Sequence, residues 1–372
     1  PRIDFTDGTG SLLLEPQRSN LITYSEQLSN WTNIQNVTVT DDVIISPDGS
    51  QNASRINETT STSVHRLFLN PTVSSAKHTY SVFLKKGTRS WAYLRLDGAQ
   101  TEQRTWFDLE NGILGTVNAD HIASIESFGN GWYRCTVSIA GTTYDTTPLA
   151  ILALATDNNV SNYAGSTDKY IYAWGAQLEQ GSYPTSYIVS NSGSTTTRSA
   201  DVANNSGNAD LFNDSEGVLY AEIAALADDL TYRMIALSDN NSSDHVRIYY
   251  TNSTNKISVA VKSNGSNQYI FLNHNITDIT DFIKIAVKYK ANDFATFING
   301  LQVNTQTTTA NTPIGLDRLN FDSGGGVSDF YGNVKAVAVF KEALSNDLLE
   351  RLTGEGYESF RLLAEANNYT II

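Results

Sequence analysis

Three short segments hold the side chains best suited to chemistry. Over residues 90–96 (SWAYLRL) the two-residue alternation of a strand puts Ala92, Leu94 and Leu96 on one face and Trp91, Tyr93 and Arg95 on the other. Residues 105–109 (TWFDL) split likewise, with Phe107 and Leu109 on the apolar side and Trp106 and Asp108 opposite. Over 132–139, Trp132, Arg134 and Thr136 oppose Tyr133, Cys135 and Val137. If these strands are neighbours, one face gathers Trp91, Tyr93, Trp106 and Trp132, with Arg95, Arg134 and Asp108 among them. Sugars bind to surfaces of this kind. The C–H-rich side of a pyranose stacks on an aromatic ring, and planar guanidinium or carboxylate groups take its hydroxyls in paired hydrogen bonds. The competing reading is packing: in a two-sheet sandwich an aromatic face can equally be the core, as expected for Trp31 and Trp174.

Hydrolysis would need two carboxylates across a groove. Asp97, Glu102, Asp108 and Glu110 lie near the aromatic strands, but a chain with 39 acidic residues places such neighbours together by chance. His65, His78, His121, His245 and His274 are scattered, with no HExxH among them, and no GxSxG is present. Gly324-Gly325-Gly326 is not followed by Lys-Ser/Thr and reads as a flexible turn. Cys135, the single cysteine, falls on an apolar face and reads as a buried structural thiol; it excludes an intrachain disulfide. The expectation is a binding protein, not an enzyme.

The elements that must position these residues are strands. Nineteen Tyr and 25 Gly, with abundant Ser, Thr and Asn, favour strands and turns, and no stretch sustains a 3.6-residue period. Strands are expected over 80–85, 90–96, 105–109, 132–139, 149–155 and 170–178, the last with Tyr172, Trp174, Ala176 and Leu178 on one side. A second series follows over 218–223, 245–250, 256–261, 269–272, 282–290, 294–298, 301–305 and 333–340. Asn299-Gly300 supplies the positive-φ pair of a hairpin turn, and Ser345 can cap a short helix over 346–352. Residues 190–198 are almost wholly Ser, Thr, Gly and Asn and read as a boundary. The chain is therefore expected to be all-β. It would comprise an N-terminal arm (1–20) leading into a jelly roll (21–189), a Ser/Thr-rich linker (190–209), a second antiparallel sandwich (210–356) and a tail (357–372). The formal net charge of −14 argues against nucleic acid as a partner, and no run of 18 apolar residues argues for membrane insertion. With Pro1 first and Met234 the single methionine, the chain is expected to be a fragment or processed product.

Two resemblances extend this reading. GSLLLEPQRSNLITYSEQLSNW, FDLENGILG, GNGWYRCTVSI and YAWGAQLEQGSYPTSYI, in that order over about residues 10–200, resemble the jelly-roll domain of bacteriophage tail and head-fibre proteins, similar in outline to family 4/9-type carbohydrate-binding modules. ATFINGLQVNTQTT, LNFDSG and FYGNVKAVAVFKEALSNDLLERL, within about 210–355, resemble the C-terminal half of a laminin-G or concanavalin A-like lectin domain. These imply receptor recognition by a phage fibre or spike: an extracellular, virion-borne protein contacting a host cell-surface glycan and other virion proteins, with a homotrimer as the natural assembly. They also imply a structural calcium ion, for which the loop acids Asp317, Asp322 and Asp329 are the candidates against a solvated role. Within the first resemblance, GNGWYRC suits Trp132 and Arg134 to a structural part. Two alternatives stay open: a virion decoration or connector protein binding other proteins, and the carbohydrate-binding region of a secreted bacterial polysaccharide-degrading enzyme.

Overall fold

The computed structural model describes residues 2–354 other than 7, 99–101 and 143. It is all-β apart from two single-turn 3-10 segments and one helix. The chain forms two units, Gln17–Ser199 and, discontinuously, Pro1–Pro16 with Ala200–Ile372.

The Gln17–Ser199 unit is a sandwich of two six-stranded antiparallel sheets. The front sheet runs Ile113–Leu114, Arg104–Asp108, Trp91–Leu96, Ala150–Ala155, His65–Leu69, Asn33–Gln35 in spatial order; the back sheet runs His121–Ser127, Trp132–Ile139, His78–Lys86, Tyr170–Gln180, Gln51–Glu58, Val37–Ile45. Between them lie Leu67, Tyr80, Val82, Leu84, Leu94, Phe107, Val137 and Leu152, all fully buried, with Trp31 beside them. Cys135 is buried in this core, and burial pushes its thiol pKa well up.

The Tyr170–Gln180 strand departs from simple alternation. Its core-facing set is Ile171, Ala173, Ala176 and Leu178, because the pairing register shifts between Trp174 and Gln177. The extra residue of a β-bulge exchanges the faces. Trp174 is therefore buried on the outside of the back sheet, with Phe83, Trp132 and Tyr187, and is not a plug between the sheets. Gly175 sits in this bulge at φ 61°, and a Cβ there would meet Phe83 at 2.9 Å. Gly175→Ala is expected to cost about 1–3 kcal/mol, read by urea denaturation.

The discontinuous unit has a seven-stranded sheet (Arg2–Asp4, Ser11–Leu14, Gly332–Phe340, Glu216–Ala225, Ile283–Lys290, Phe294–Ile298, Leu301–Gln306) and a five-stranded one (Ser266–Asn275, Lys256–Ser263, His245–Tyr250, Arg233–Ser238, Arg318–Asn320). Leu219, Ile235, Val246, Ile285, Val287 and Tyr289 pack between them. On the far side of the seven-stranded sheet, Leu349 and Leu352 of the helix Asn346–Thr353 cover Tyr220, Ala286 and Phe297. Ser345 caps that helix through Leu348 N, and Asn299-Gly300 turns the expected hairpin at φ 47° and 84°.

Two boundaries differ from the sequence reading. Residues 2–14 do not lead into the first sandwich as an arm; they form two strands of the second, with Leu12–Leu14 paired to Gly332–Val334. Nor is 190–198 a free linker: Thr196–Arg198 pairs with Arg18–Asn20, and Ser190 is buried. Short polar strands of this kind are held by backbone pairing, which side-chain composition does not announce. The expected tail, 357–372, lies outside the described residues.

Candidate functional site

Register places the expected strip on the outer face of the front sheet. Trp91 stands opposite Asp108 and Ala155, Tyr93 opposite Trp106 and Ala153, and Arg95 opposite Arg104 and Ile151. Beyond the middle strand, Ala153 faces Arg66 and Ile151 faces Phe68. One row thus reads Trp106, Tyr93, Ala153, Arg66, Gln35, and the next reads Arg104, Arg95, Ile151, Phe68, Asn33. Ala92, Leu94, Phe107, Leu152 and Leu154 point the other way, into the core.

The strip is a floor with a rim. Tyr93 is 0% and Trp106 6% exposed, their rings 5.6 Å apart, packed with Ile151, Ala153 and Ala155. Trp91, Phe68, Arg66 and Arg104 around them are half-buried. The Arg66 guanidinium lies 5.0 Å from the Phe68 ring, with Nε donating to Gln35 Oε1 at 2.9 Å; that of Arg104 lies 5.7 Å from the Tyr93 ring. Such cation–π contacts hold a guanidinium flat and leave its edge for hydrogen bonding; that of Arg104 is partly taken by an ion pair from Nη2 to Glu102. Among the described residues Trp106 Nε1 is buried without a hydrogen-bond partner, and the Tyr93 hydroxyl has the Arg104 guanidinium as its polar neighbour. Burial raises the Tyr93 pKa against the pull of Arg104, Arg66 and Arg95, so the hydroxyl keeps its proton. A buried donor left unsatisfied costs about 1–3 kcal/mol, so Trp106 Nε1 favours a polar group that can reach it.

The other expected site residues have different work. Arg95 is 3% exposed; its Nε and Nη2 donate to Asp97 at 2.7 and 2.5 Å, and Nη1 to Glu102 at 2.5 Å. Asp108 accepts from Glu110 N at 2.9 Å and Asn111 Nδ2 at 2.7 Å and shapes the turn after its strand. Trp132 is not on this face. It belongs to the back sheet, 2% exposed among Phe83 and Trp174, with Nε1 donating to Ile45 O at 3.1 Å. Arg134 is there too, bonded to Ser81 Oγ and Thr185 O. Each of the four carboxylates weighed for hydrolysis is engaged within the protein: Asp97 and Glu102 both pair with Arg95, Asp108 caps its turn, and Glu110 pairs with Lys86.

Asp317, Asp322 and Asp329 are not gathered round a common point. Asp317 pairs with Arg318, Asp322 accepts from Asn204 Nδ2 at 2.7 Å, and Asp329 accepts from Tyr331 Oη at 2.9 Å. Among the described residues no group of three or more His, Cys, Asp or Glu could hold a metal ion.

Arg66, Phe68 and Arg104 were not anticipated. The signal was present for two of them: in HRLFL, residues 65–69, Leu67 turns inward and leaves Arg66 and Phe68 outside.

Residues 219–348 match the Laminin_G_3 family model, the concanavalin A-like lectin/glucanases superfamily. No curated protein matches the chain. Among solved structures, the Ruminococcus gnavus IT-sialidase CBM40 bound to α2,3-sialyllactose is 16% identical, covering 41% of this chain and 94% of that one, at a TM-score of 0.34. The heptameric SAP-like pentraxin of Limulus polyphemus is 12% identical over 41% of this chain and 78% of its own, at 0.32. Mouse laminin α1 domains LG4-5 are 10% identical over 77% and 89%, at 0.27. At these values none of them speaks to a ligand.

Proposed function

We propose that the chain is a non-catalytic glycan-binding protein that attaches a phage fibre or spike to host cell-surface polysaccharide, with the outer face of the front sheet as its platform. The observation that carries the reading is that face: half-buried Trp91, Phe68, Arg66 and Arg104 around a floor of Tyr93 and Trp106, with Trp106 Nε1 unsatisfied among the described residues. The lectin/glucanase match over 219–348 supports a sugar-binding context, and the ordered motifs of the N-terminal half support the phage setting. In that setting the protein is extracellular and virion-borne and contacts other virion proteins. Single glycan contacts are weak, so several copies, most simply a trimer, raise avidity without new contacts.

A glycan array with Trp91→Ala and Arg66→Ala tests the platform. Each should weaken binding about ten- to a hundred-fold, the loss of one stacking or charge-assisted contact. Trp132→Ala should lower the melting temperature without changing glycan preference. Unchanged binding in both platform variants would remove the assignment. No binding by the wild type would favour a connector role, and release of reducing ends from host polysaccharide would overturn the non-catalytic reading.

A further inference from the structure

At one end of the Gln17–Ser199 sandwich is a cleft of about 390 Å³, lined by Gln17, Arg18, Ser19, Leu21, Thr72, Val73, Ser74, His78 and Gln180. Its size lies in the range of small-molecule sites. It shares no residue with the aromatic platform.

The polar groups around the cleft are incompletely used by the protein. His78 is 3% exposed, and its Nδ1 lies 2.8 Å from Ala76 O, a contact that needs the proton on Nδ1. Burial lowers the ring's pKa, so the imidazole is neutral, and Nε2 is left as a buried acceptor with no protein partner. Arg18 stacks 5.6 Å from the Tyr183 ring, and its Nε makes no hydrogen bond. The nearest carboxylate, Glu179, is 3.8 Å from that Nε and already accepts from Thr185 N, Thr185 Oγ1 and Gln177 Nε2. Gln180 spends its carbonyl on Ser74 Oγ at 2.9 Å, leaving the amide as donor. Gly181, at φ 146°, lets Arg18 lie against the backbone: a Cβ there would come within 2.9 Å of Nη2.

We propose that this cleft is a second glycan subsite, taking one or two pyranose rings of a neutral sugar; the proposal rests on the glycan-binding reading above. Donors (Arg18, Gln180, Thr72) alternate with acceptors (His78 Nε2 and the Ser74 oxygen, whose proton goes to Gln180), as a polyol requires, and Leu21 and Val73 offer an apolar strip for ring C–H groups. Charge selects against acidic sugars. Glu179 offsets Arg18 and His78 is uncharged, so the cleft holds no net cation for a carboxylate.

The test uses the whole chain labelled with ¹⁵N-histidine, titrated with lactose, maltose, sucrose and rhamnose, and with glucuronic acid as the charged arm. The His78 Nε2 resonance should move saturably with at least one neutral sugar and not with glucuronic acid. Gln180→Ala and Ser74→Trp, both at exposed positions, should weaken that titration at least about tenfold, and Trp91→Ala should leave it unchanged. A silent His78 alongside Trp91-dependent binding on the array removes the cleft and leaves the platform standing. A His78 shift alongside an array indifferent to Trp91 and Arg66 does the reverse. A shift that persists in Ser74→Trp, or that follows only glucuronic acid, overturns the assignment, and silence in both experiments removes both sites.

Discussion

Glu58→Ala should destabilise the Gln17–Ser199 sandwich by about 3–5 kcal/mol, the usual cost of breaking a buried ion pair from one side. The Glu58 side chain is fully buried. It accepts from Arg89 Nε at 2.6 Å and Nη2 at 3.0 Å, from Tyr163 Oη at 2.8 Å and from Ser166 N at 3.0 Å. Removing it strands a guanidinium, a hydroxyl and a backbone N–H together. Burial alone would raise its pKa; the hydrogen bonds from Arg89, Tyr163 and Ser166, with the Arg89 charge, outweigh that and hold it below the ordinary 4.5. The sign follows: its contribution is fully present above pH 4.5 and is lost as pH falls through the lower folded value. Urea denaturation of Glu58→Ala, Arg89→Leu and the double variant checks it. The double should recover part of the loss, because no lone charge remains buried; strict additivity would refute the pairing.

The second large effect runs on pH in the other unit. His245 is 0% exposed, and burial lowers its pKa from 6.5 to about 3, assisted by the charges of Arg247 and Lys262. An unfolded chain takes up a proton there below about pH 6.5 while the folded one does not. Stability must therefore fall on acidification, by about 1.4 kcal/mol per pH unit across that window. Denaturation of the wild type and His245→Gln at several pH values between 6.5 and 4 should show a steep slope in the first and a shallower one in the second. Equal slopes would mean that His245 is protonated in the folded state.

How much of this was legible follows from what each signal measures. Alternation along 90–96 and 105–109 reports which side chains share a face, and the structure keeps those faces as expected. Alternation does not report which strands are neighbours, so Trp132 was grouped with a strip that lies on the opposite sheet. It also fails at a bulge, where one extra residue around Gly175 moves Trp174 to the outside. Within the strip, side-chain type did not separate rim from floor. Arg95 resembles a ligand-binding arginine in sequence, but Asp97 and Glu102 already occupy it, and Glu102 pairs with Arg104 as well; Arg66, at the edge, hydrogen-bonds only the Gln35 amide among the described residues. The His78 cleft was invisible in sequence because its walls come from four separate segments that only folding assembles.

The pairing of Ser11–Leu14 with Gly332–Phe340 has a consequence for how the chain is made. Asp4 and its hydrogen-bond partner Asn333 are 329 residues apart. On the ribosome the first strands emerge long before their partner exists, while residues 17–199 hold every strand of their own sandwich and can fold at once. The second sandwich therefore closes last, after the inserted segment is complete, and the waiting segment carries Ile3 and Phe5, which remain 57% and 67% exposed even when folded. A gene cut near residue 200 would express a C-terminal half missing two strands and showing a raw sheet edge, prone to aggregate. The separable module is the inserted one, whose ends are already tied together by the Arg18–Asn20 and Thr196–Arg198 pair.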